Sequence, residues 1–321
     1  MRKTEIIDLN SFPVKPVLKY LLQDKTTKKN IIFATDTYSV DGEPIHPEEQ
    51  ITEDLLRRMG ENPIQPRHVK SRAQQTDRTR KRAEVFTPVW ICNKMNNYCD
   101  DEWFGRPGSF NTEIDNGRSW KPYGRKIPFP EGKCWKEYID STRIEITCGE
   151  APFLVSRYDA ADGTPIDISQ RIGMLDRKLR IVSENVKTEE EWLKWTFRSF
   201  QSVYGYEYQG DNLLIARINL LNTFMDYTHA CLHRDPTEKE LKKITRIISW
   251  NIWQMDGLSG MVPLLKQDAA AAQPSLFVFA GIDEKDENHP VGIQCKIYDW
   301  RANRSIEFGN MNSKKKSERY V

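Results

Sequence analysis

The sequence lacks any apolar run close to the roughly 20 residues that a membrane-spanning helix needs. Its start, MRKTEIIDLNSF, contains no apolar export segment either. We therefore expect a cytoplasmic protein with no membrane contact. A disordered chain is also excluded, because 9 Trp, 12 Tyr and 13 Phe are more aromatic residues than such chains carry. A chain of 321 residues is long enough for one large domain or two modest ones.

Paired cysteines are missing as well. The six cysteines include no CxxC pair, which argues against a zinc cluster and against a disulfide framework, so we expect reduced thiols. They are Cys92, Cys99, Cys134, Cys148, Cys231 and Cys295. The HACLH segment places two histidines four residues apart. A zinc site needs three or four ligands, so we interpret this pair as structural and predict no metal site.

Net charge is also low, at +2, yet the basic residues are concentrated. Residues 66–82, PRHVKSRAQQTDRTRKR, carry seven Lys or Arg against one Asp, and SKKKSER lies close to the C-terminus. Such runs attract the phosphate backbone of nucleic acids. A solvated helix face is the common alternative.

Three β-like runs end in acidic residues, at Glu145 before a Cys-Gly turn, at Glu207 and at Asp256. Helical patterns between the runs favour a parallel sheet, in which ligands bind where the carboxyl ends of the strands converge. A turn without side chains admits a ligand closely, and a carboxylate after the second strand can take a ribose diol. We therefore predict a nucleoside site. The alternative is an ordinary strand-to-helix turn with a buried thiol and a helix-start carboxylate. No G-x-G-x-x-G follows a strand, which disfavours a nicotinamide-dependent oxidoreductase.

These segments resemble the motifs of a known protein family. EITCGEAPFL is similar, without a gap, to the turn D-P-x-C-G-S-G-x-F-L of the S-adenosylmethionine-dependent N6-adenine DNA methyltransferases of restriction-modification systems. RTRKRAEVFTPVWICNKM resembles that family's upstream TP motif, and YGYEYQGDNLLIARINLL and NIWQMDGL resemble its second-strand and third-strand motifs. The resemblance implies S-adenosylmethionine as the cofactor, DNA as a partner, and a Rossmann-like α/β methyltransferase sheet with helices on both faces.

The resemblance also assigns roles to individual residues. The positions implied to bind the cofactor are Phe86, Thr87 and Pro88 at its methionine part, Glu145, Cys148 and Gly149 at the turn, Glu207 at the ribose and Asp256 near the adenine. Because the basic segment directly precedes the TP motif, we expect it to lie along DNA phosphates. The residues concerned are Arg72, Arg78, Arg80, Lys81 and Arg82.

The sequence departs from the family in two places. Glu150, Ala151 and Pro152 replace a Ser-Gly-x run, which makes the turn stiffer and adds a carboxylate. The chain contains no Pro-Pro, so the family's catalytic motif, Asn or Asp followed by Pro-Pro and an aromatic residue, is absent. That motif grips the flipped adenine. We therefore expect a modification subunit that depends on a partner chain for catalysis. For its assembly we expect a partner protein subunit or a homodimer. The alternative is a catalytically inactive DNA-binding or inhibitory scaffold.

We predict three regions along the chain. Residues 1–74 form an N-terminal region with a basic linker, and residues 75–260 form the methyltransferase-like domain, with 105–133 as a loop insertion. Residues 261–321 form a C-terminal β-meander and a basic tail. Two local features are also expected, a helix soon after the Cys-Gly turn and a helix N-cap at Thr87.

Overall fold

The computed structural model describes residues 7–82, 84, 87–264 and 292–311, with backbone alone at 81, 82, 310 and 311. The helices are α1 (Leu18–Leu21), α2 (Glu53–Arg58), α3 (Arg72–Arg82), α4 (Val89–Phe104), α5 (Trp135–Asp140), α6 (Met174–Asn185), α7 (Glu189–Gln201), α8 (Gly210–Leu232) and α9 (Glu238–Asn251). The strands are β1 (Ser39–Val40), β2 (Glu43–Pro44), β3 (Asn111–Ile114), β4 (Ser119–Pro122), β5 (Arg143–Glu145), β6 (Val203–Glu207), β7 (Ile252–Gln254), β8 (Lys296–Asp299) and β9 (Arg304–Glu307). Within these ranges, no helix is both long and apolar enough to cross a lipid bilayer.

The central sheet consists of three parallel strands, β5, β6 and β7, which lie side by side in chain order. Glu145 lies beside Gly205 in the register, and Glu207 lies beside Gln254. The chain returns through α6 and α7 and then through α8 and α9, because parallel strands need a long crossover. The protein is therefore a mixed α/β fold with small sheets, as the sequence predicts at this coarse level.

The two faces of this sheet are covered by different elements. Val203 and Ile252 are buried in the main hydrophobic core, to which residues of α6, α7, α8 and α9 also contribute. Tyr206 and Trp253 belong to a second, smaller core that includes Ile297 of β8. The antiparallel hairpin of β8 and β9 therefore covers the face opposite the helices. The first strand of the predicted β-meander, within residues 275–284, lies outside the described residues.

Several helices begin at a threonine whose hydroxyl satisfies a backbone N–H of the first turn. Thr52 precedes α2, Thr188 precedes α7, and Thr237 precedes α9 in a capping box with Glu240. Such caps stabilise a helix by about 1 kcal/mol each. These caps satisfy backbone donors that the first turn of each helix would otherwise leave without a partner.

The structure corrects three local predictions. Residues 105–133, predicted as a loop, contain the antiparallel hairpin of β3 and β4. The turn after β5 leads into further turns and not into a helix, because Pro152 disfavours helical backbone at Ala151 and lacks an N–H. The N-cap of α4 is Pro88 and not Thr87, and no side chain caps that helix.

Candidate functional site

The carboxyl ends of the three parallel strands meet at one edge of the sheet. Glu145 is the last residue of β5, Glu207 the last of β6 and Gln254 the last of β7. The N–H of Met255 donates to the carbonyl of Glu207 at 3.0 Å, and Asp256 follows directly. The structure thus places all three acidic residues singled out in the sequence at this edge.

Glu145 organises the turn that follows β5. Its carboxylate accepts hydrogen bonds from the backbone N–H of Phe153 at 3.3 Å and of Leu154 at 3.0 Å. Burial raises the pKa of Glu145 to about 8, although the two backbone donors oppose this shift. The side chain therefore holds the turn closed and directs its oxygens to the chain's own backbone.

Glu207 joins β6 to the same turn. Its Oε2 accepts from the N–H of Gly149 at 2.9 Å, and its Oε1 accepts from the N–H of Gln209 at 3.0 Å. Burial raises the pKa of Glu207 to about 7, so the carboxyl group ionises near neutral pH. Each carboxylate oxygen offers two lone-pair sites. These two bonds therefore leave the carboxylate with unused acceptor capacity, on a side chain that is 7% exposed.

Gln209 adds an acceptor two residues after Glu207. Its Nε2 donates to Oε2 of Glu84 at 3.2 Å. Its Oε1 is buried and finds no hydrogen-bond donor among the described residues. A buried acceptor without a donor is costly, so a ligand hydroxyl or amino group here would remove that cost.

The backbone of the turn is strained. Thr147, Gly149 and Ala151 have φ angles of 46°, 53° and 65°, in the left-handed region. Glycine adopts this region freely, whereas the β-branched threonine rarely does, and each strained residue costs on the order of 1–3 kcal/mol. Backbone outliers of this kind cluster at ligand-binding sites. The strain therefore favours a function for the turn.

Cys148 packs at the centre of this turn. Its N–H donates to the carbonyl of Tyr206 at 2.8 Å, and its side chain is buried. Burial raises the pKa of the thiol, which therefore stays protonated and unreactive. The residue has a structural role at the position that the resemblance assigns to the cofactor turn.

The start of α4 lies close to the carboxyl end of β5. The carbonyl of Thr87 accepts from Sγ of Cys92 at 3.7 Å, and Pro88 is the N-cap. Nδ2 of Asn96 on the same helix donates to the carbonyl of Phe153 at 3.0 Å, which places α4 beside the turn. Two residues of the TP motif therefore come to the predicted site, while Phe86 lies outside the described residues.

Glu150 is the carboxylate by which this turn departs from the family pattern. Its Oε1 accepts from the N–H of Arg67 at 2.7 Å, and its Oε2 accepts from the hydroxyl of Tyr158 at 2.6 Å. Burial raises the pKa of Glu150 to about 7. The additional carboxylate thus connects the turn to the segment before α3, and its charge is directed into the protein.

The structure corrects the role of Arg78 in the basic helix α3. Its side chain is 1% exposed, its Nε donates to Oε2 of Glu84 at 2.6 Å, and its Nη2 lies 2.8 Å from Oδ2 of Asp211. Burial raises the pKa of Asp211, but Lys70 and Arg78 outweigh that effect and lower it to about 2. The prediction that Arg78 contacts DNA is wrong, because both of its charged partners are inside the protein.

The remaining basic residues of α3 have different surroundings. Arg72 and Arg80 are exposed on the helix surface. Lys81 and Arg82 close the helix, and their side chains lie outside the described part of the chain. The exposed pair is free to reach an anionic partner from the surface of α3.

Asp256 stabilises its own loop. Its Oδ1 accepts from the N–H of Leu258 at 2.9 Å, and its carbonyl accepts from the N–H of Gly260 at 2.8 Å. The side chain is only half-buried. The structure therefore places Asp256 at the predicted edge of the sheet. Its carboxylate, however, bonds to its own loop.

Sequence reasoning missed the segment that packs over this edge. The side-chain amide of Gln254 accepts from the N–H of Ile32 at 2.9 Å and donates to the carbonyl of Ile32 at 2.8 Å. The N–H of Gly210 donates to the carbonyl of Phe33 at 2.9 Å. A Cβ at Gly210 would lie 1.9 Å from the oxygen of Ile32, so this approach requires glycine. No motif in the NIIFAT segment signals these contacts.

The two histidines of HACLH lie at the end of α8. His229 forms a hydrogen bond with Asp235, and His233 ends the helix with a φ angle of 55°. In the described ranges, no three His, Cys, Asp or Glu side chains form a group that could hold a metal ion.

Comparison with known proteins gives no relative for this chain. No protein-family model matches it, and neither a curated protein nor a solved structure gives a significant match. The functional interpretation therefore depends on the geometry of the sheet edge and on the sequence motifs.

Proposed function

We propose that the protein is an S-adenosylmethionine-binding, N6-adenine DNA methyltransferase-like modification subunit of a restriction-modification system. The observation that carries the proposal is the 2.9 Å hydrogen bond from the N–H of Gly149 to the carboxylate of Glu207. It joins the first two of three parallel strands in chain order, at the edge where open α/β sheets bind ligands. The proposal includes a Rossmann-like sheet and a C-terminal β-meander, although in the described residues the helices cover one face of the sheet and the hairpin of β8 and β9 covers the other.

The residues at this edge fit the nucleoside part of the cofactor. Glu207 can accept both ribose hydroxyls while it keeps its two backbone bonds. Gln209 offers a buried oxygen that has no donor among the described residues. Gly149 has no side chain and allows a close approach to the backbone. When bound, S-adenosylmethionine would supply the methyl group, and these residues would hold and orient the nucleoside.

Catalysis in this proposal needs a second polypeptide. The chain contains no Pro-Pro, so it has no segment of the kind that holds a flipped adenine in the family it resembles. A partner subunit with a different sequence would supply the residues that grip the base, because a second copy of this chain lacks Pro-Pro as well. This chain would bind the cofactor and hold it in position. Positioning of the reactants alone can account for a large part of the acceleration of a group transfer.

DNA would approach from the side of α3. Arg72 and Arg80 are exposed there. The same helix is connected to the proposed site through Arg78, Glu84 and Gln209, by bonds of 2.6 Å and 3.2 Å. Contacts from Arg72 and Arg80 to phosphates would position the duplex without reading its sequence.

Calorimetric titration with S-adenosylmethionine tests the proposal. We expect micromolar affinity for the wild type and a loss of roughly tenfold or more for Glu207→Gln, because a hydrogen bond to a charged group contributes about 1.5–3 kcal/mol. Glu190→Gln, at an exposed position on α7, is the matched control and should bind as the wild type does. Absence of binding at millimolar cofactor to a folded wild-type protein would reject the proposal and favour the inactive DNA-binding scaffold.

A further inference from the structure

The helix α4 has an inverted distribution of polar and apolar residues. Four of its six buried residues are polar, namely Asn93, Asn96, Asn97 and Asp100, all at most 8% exposed, and the other two are Cys92 and Phe104. These side chains are satisfied by a buried network that includes Arg177, whose Nη1 lies 2.6 Å from Oδ2 of Asp100. Surface helices of globular proteins normally bury an apolar stripe and expose a polar one. On α4 the buried side is mostly polar.

The outer face of α4 carries a short apolar stripe, beside the exposed Lys94, Cys99 and Glu102. Ile91, Met95 and Tyr98 follow each other at the four-residue and three-residue spacing that aligns side chains on one helix face. Met95 is 55% exposed and Tyr98 is 74% exposed, while Ile91 is half-buried. An aligned exposed apolar stripe of this kind marks an interaction surface.

The charged residues that border this stripe form a self-complementary pair. Lys94 and Glu102 are both exposed, and each lies four residues from Tyr98 on opposite sides. If a second α4 packs antiparallel across a two-fold axis at Tyr98, Lys94 of each copy lies opposite Glu102 of the other. Two-fold interfaces use the same patch on both subunits and therefore require this kind of self-complementarity.

We infer that the outer face of α4 is a dimer interface, on which a second copy of this chain packs its own α4 antiparallel. Tyr98 and Met95 form the apolar centre, and Lys94 and Glu102 form the charged ends. Helices packed in this way lie about 8–10 Å apart. Glu207 and Gly149 take no part in this surface, which lies on the helix that begins after Pro88 of the TP motif.

Sedimentation velocity over a concentration series tests the inference directly. We expect the wild type to shift from monomer to dimer with rising concentration, and Tyr98→Glu to stay monomeric. Leu258→Glu is the matched control, because Leu258 is also 74% exposed but lies far along the chain in the loop after β7. A monomeric wild type at all concentrations, or a dimer that Tyr98→Glu leaves intact, overturns the inference.

A charge exchange tests the antiparallel arrangement. Lys94→Glu alone and Glu102→Lys alone place like charges opposite each other, so each should weaken the dimer. The double variant restores opposite charges and should restore the dimer, with circular dichroism as the check that every variant is folded. Weak association in the double variant, with the fold intact, rejects the two-fold axis at Tyr98.

Discussion

Three glutamate side chains are buried around the turn that follows β5, and burial raises the pKa of each. The pKa of Glu145 rises to about 8, and those of Glu150 and Glu207 rise to about 7. All three accept hydrogen bonds from the chain itself, Glu145 and Glu207 from backbone N–H groups and Glu150 from Arg67 and Tyr158. Their protonation is therefore linked to the stability of this turn.

This linkage predicts a pH dependence of stability. Each folded-state pKa lies above the ordinary 4.5, so the folded protein binds more protons than the unfolded chain between about pH 5 and pH 8. The stability due to these protonated carboxyls is fully present below that ordinary value and is lost as the pH rises through 7 and 8. We expect the free energy of unfolding in urea to fall by up to about 1.4 kcal/mol per pH unit for each proton.

Glu145→Gln provides the test at a single residue. The amide cannot ionise and its oxygen can still accept from the backbone, so the decrease of stability towards pH 8 should become shallower. Glu190→Gln, at an exposed position on α7, serves as the control and should keep the wild-type slope. An unchanged slope in Glu145→Gln would contradict the assignment of a raised pKa to this residue.

Sequence alone places Glu145 and Glu207 correctly but does not reveal what they contact. Their positions follow from β-like runs that end in an acidic residue before a turn. Their partners are backbone N–H groups of a turn whose left-handed residues, Thr147 and Ala151, are not types that signal such a conformation. The burial of Arg78 could not be predicted from the sequence for a similar reason. Its partner Asp211 lies far along the chain.

At the scale of elements, long periodic segments were predictable and short irregular ones were not. The amphipathic patterns of α7 and α9 and the long apolar pattern of α8, which is buried on most sides, locate these helices in the sequence. The hairpin of β3 and β4 has strands of only four residues in a region rich in turn residues, so alternation gives little signal there. The apolar residues after Gly149 predict a helix that Pro152 prevents.

The helix α3 contains the buried Arg78 and the exposed Arg80, whose contributions to stability can be distinguished by experiment. Arg78→Met leaves Glu84 and Asp211 as buried charges without this partner, so unfolding should need about 3–5 kcal/mol less free energy. Arg80→Met removes only an exposed charge and should change stability by less than about 0.5 kcal/mol. Urea unfolding of both variants distinguishes them, and an equal loss in the two would contradict the buried network.

The Arg78 and Arg80 variants also distinguish an effect on stability from an effect on DNA binding. Arg80→Met should weaken binding to duplex DNA about uniformly across sequences and reduce the dependence on salt by about one phosphate contact. Fluorescence anisotropy at several salt concentrations measures both effects. Wild-type affinity and salt dependence in Arg80→Met would show that this face of α3 does not contact DNA.

At the scale of the whole molecule, the order of the motifs along the chain determines where they meet. Three strands joined by helical crossovers must lie parallel, so their carboxyl ends collect at one edge. That convergence could be derived from the sequence. The packing of Ile32 and Phe33 over this edge could not, because it depends on Gln254 and Gly210, which are distant in the sequence. The central claim is that a nucleoside binds at this edge.

Hydrogen–deuterium exchange with and without S-adenosylmethionine tests that claim most directly, because it reports where a ligand binds. We expect slower exchange in peptides that cover residues 145–154 and 204–212, and unchanged exchange in α5 and α7. No change at millimolar cofactor, or a change confined to elements away from the carboxyl ends of β5, β6 and β7, would contradict it.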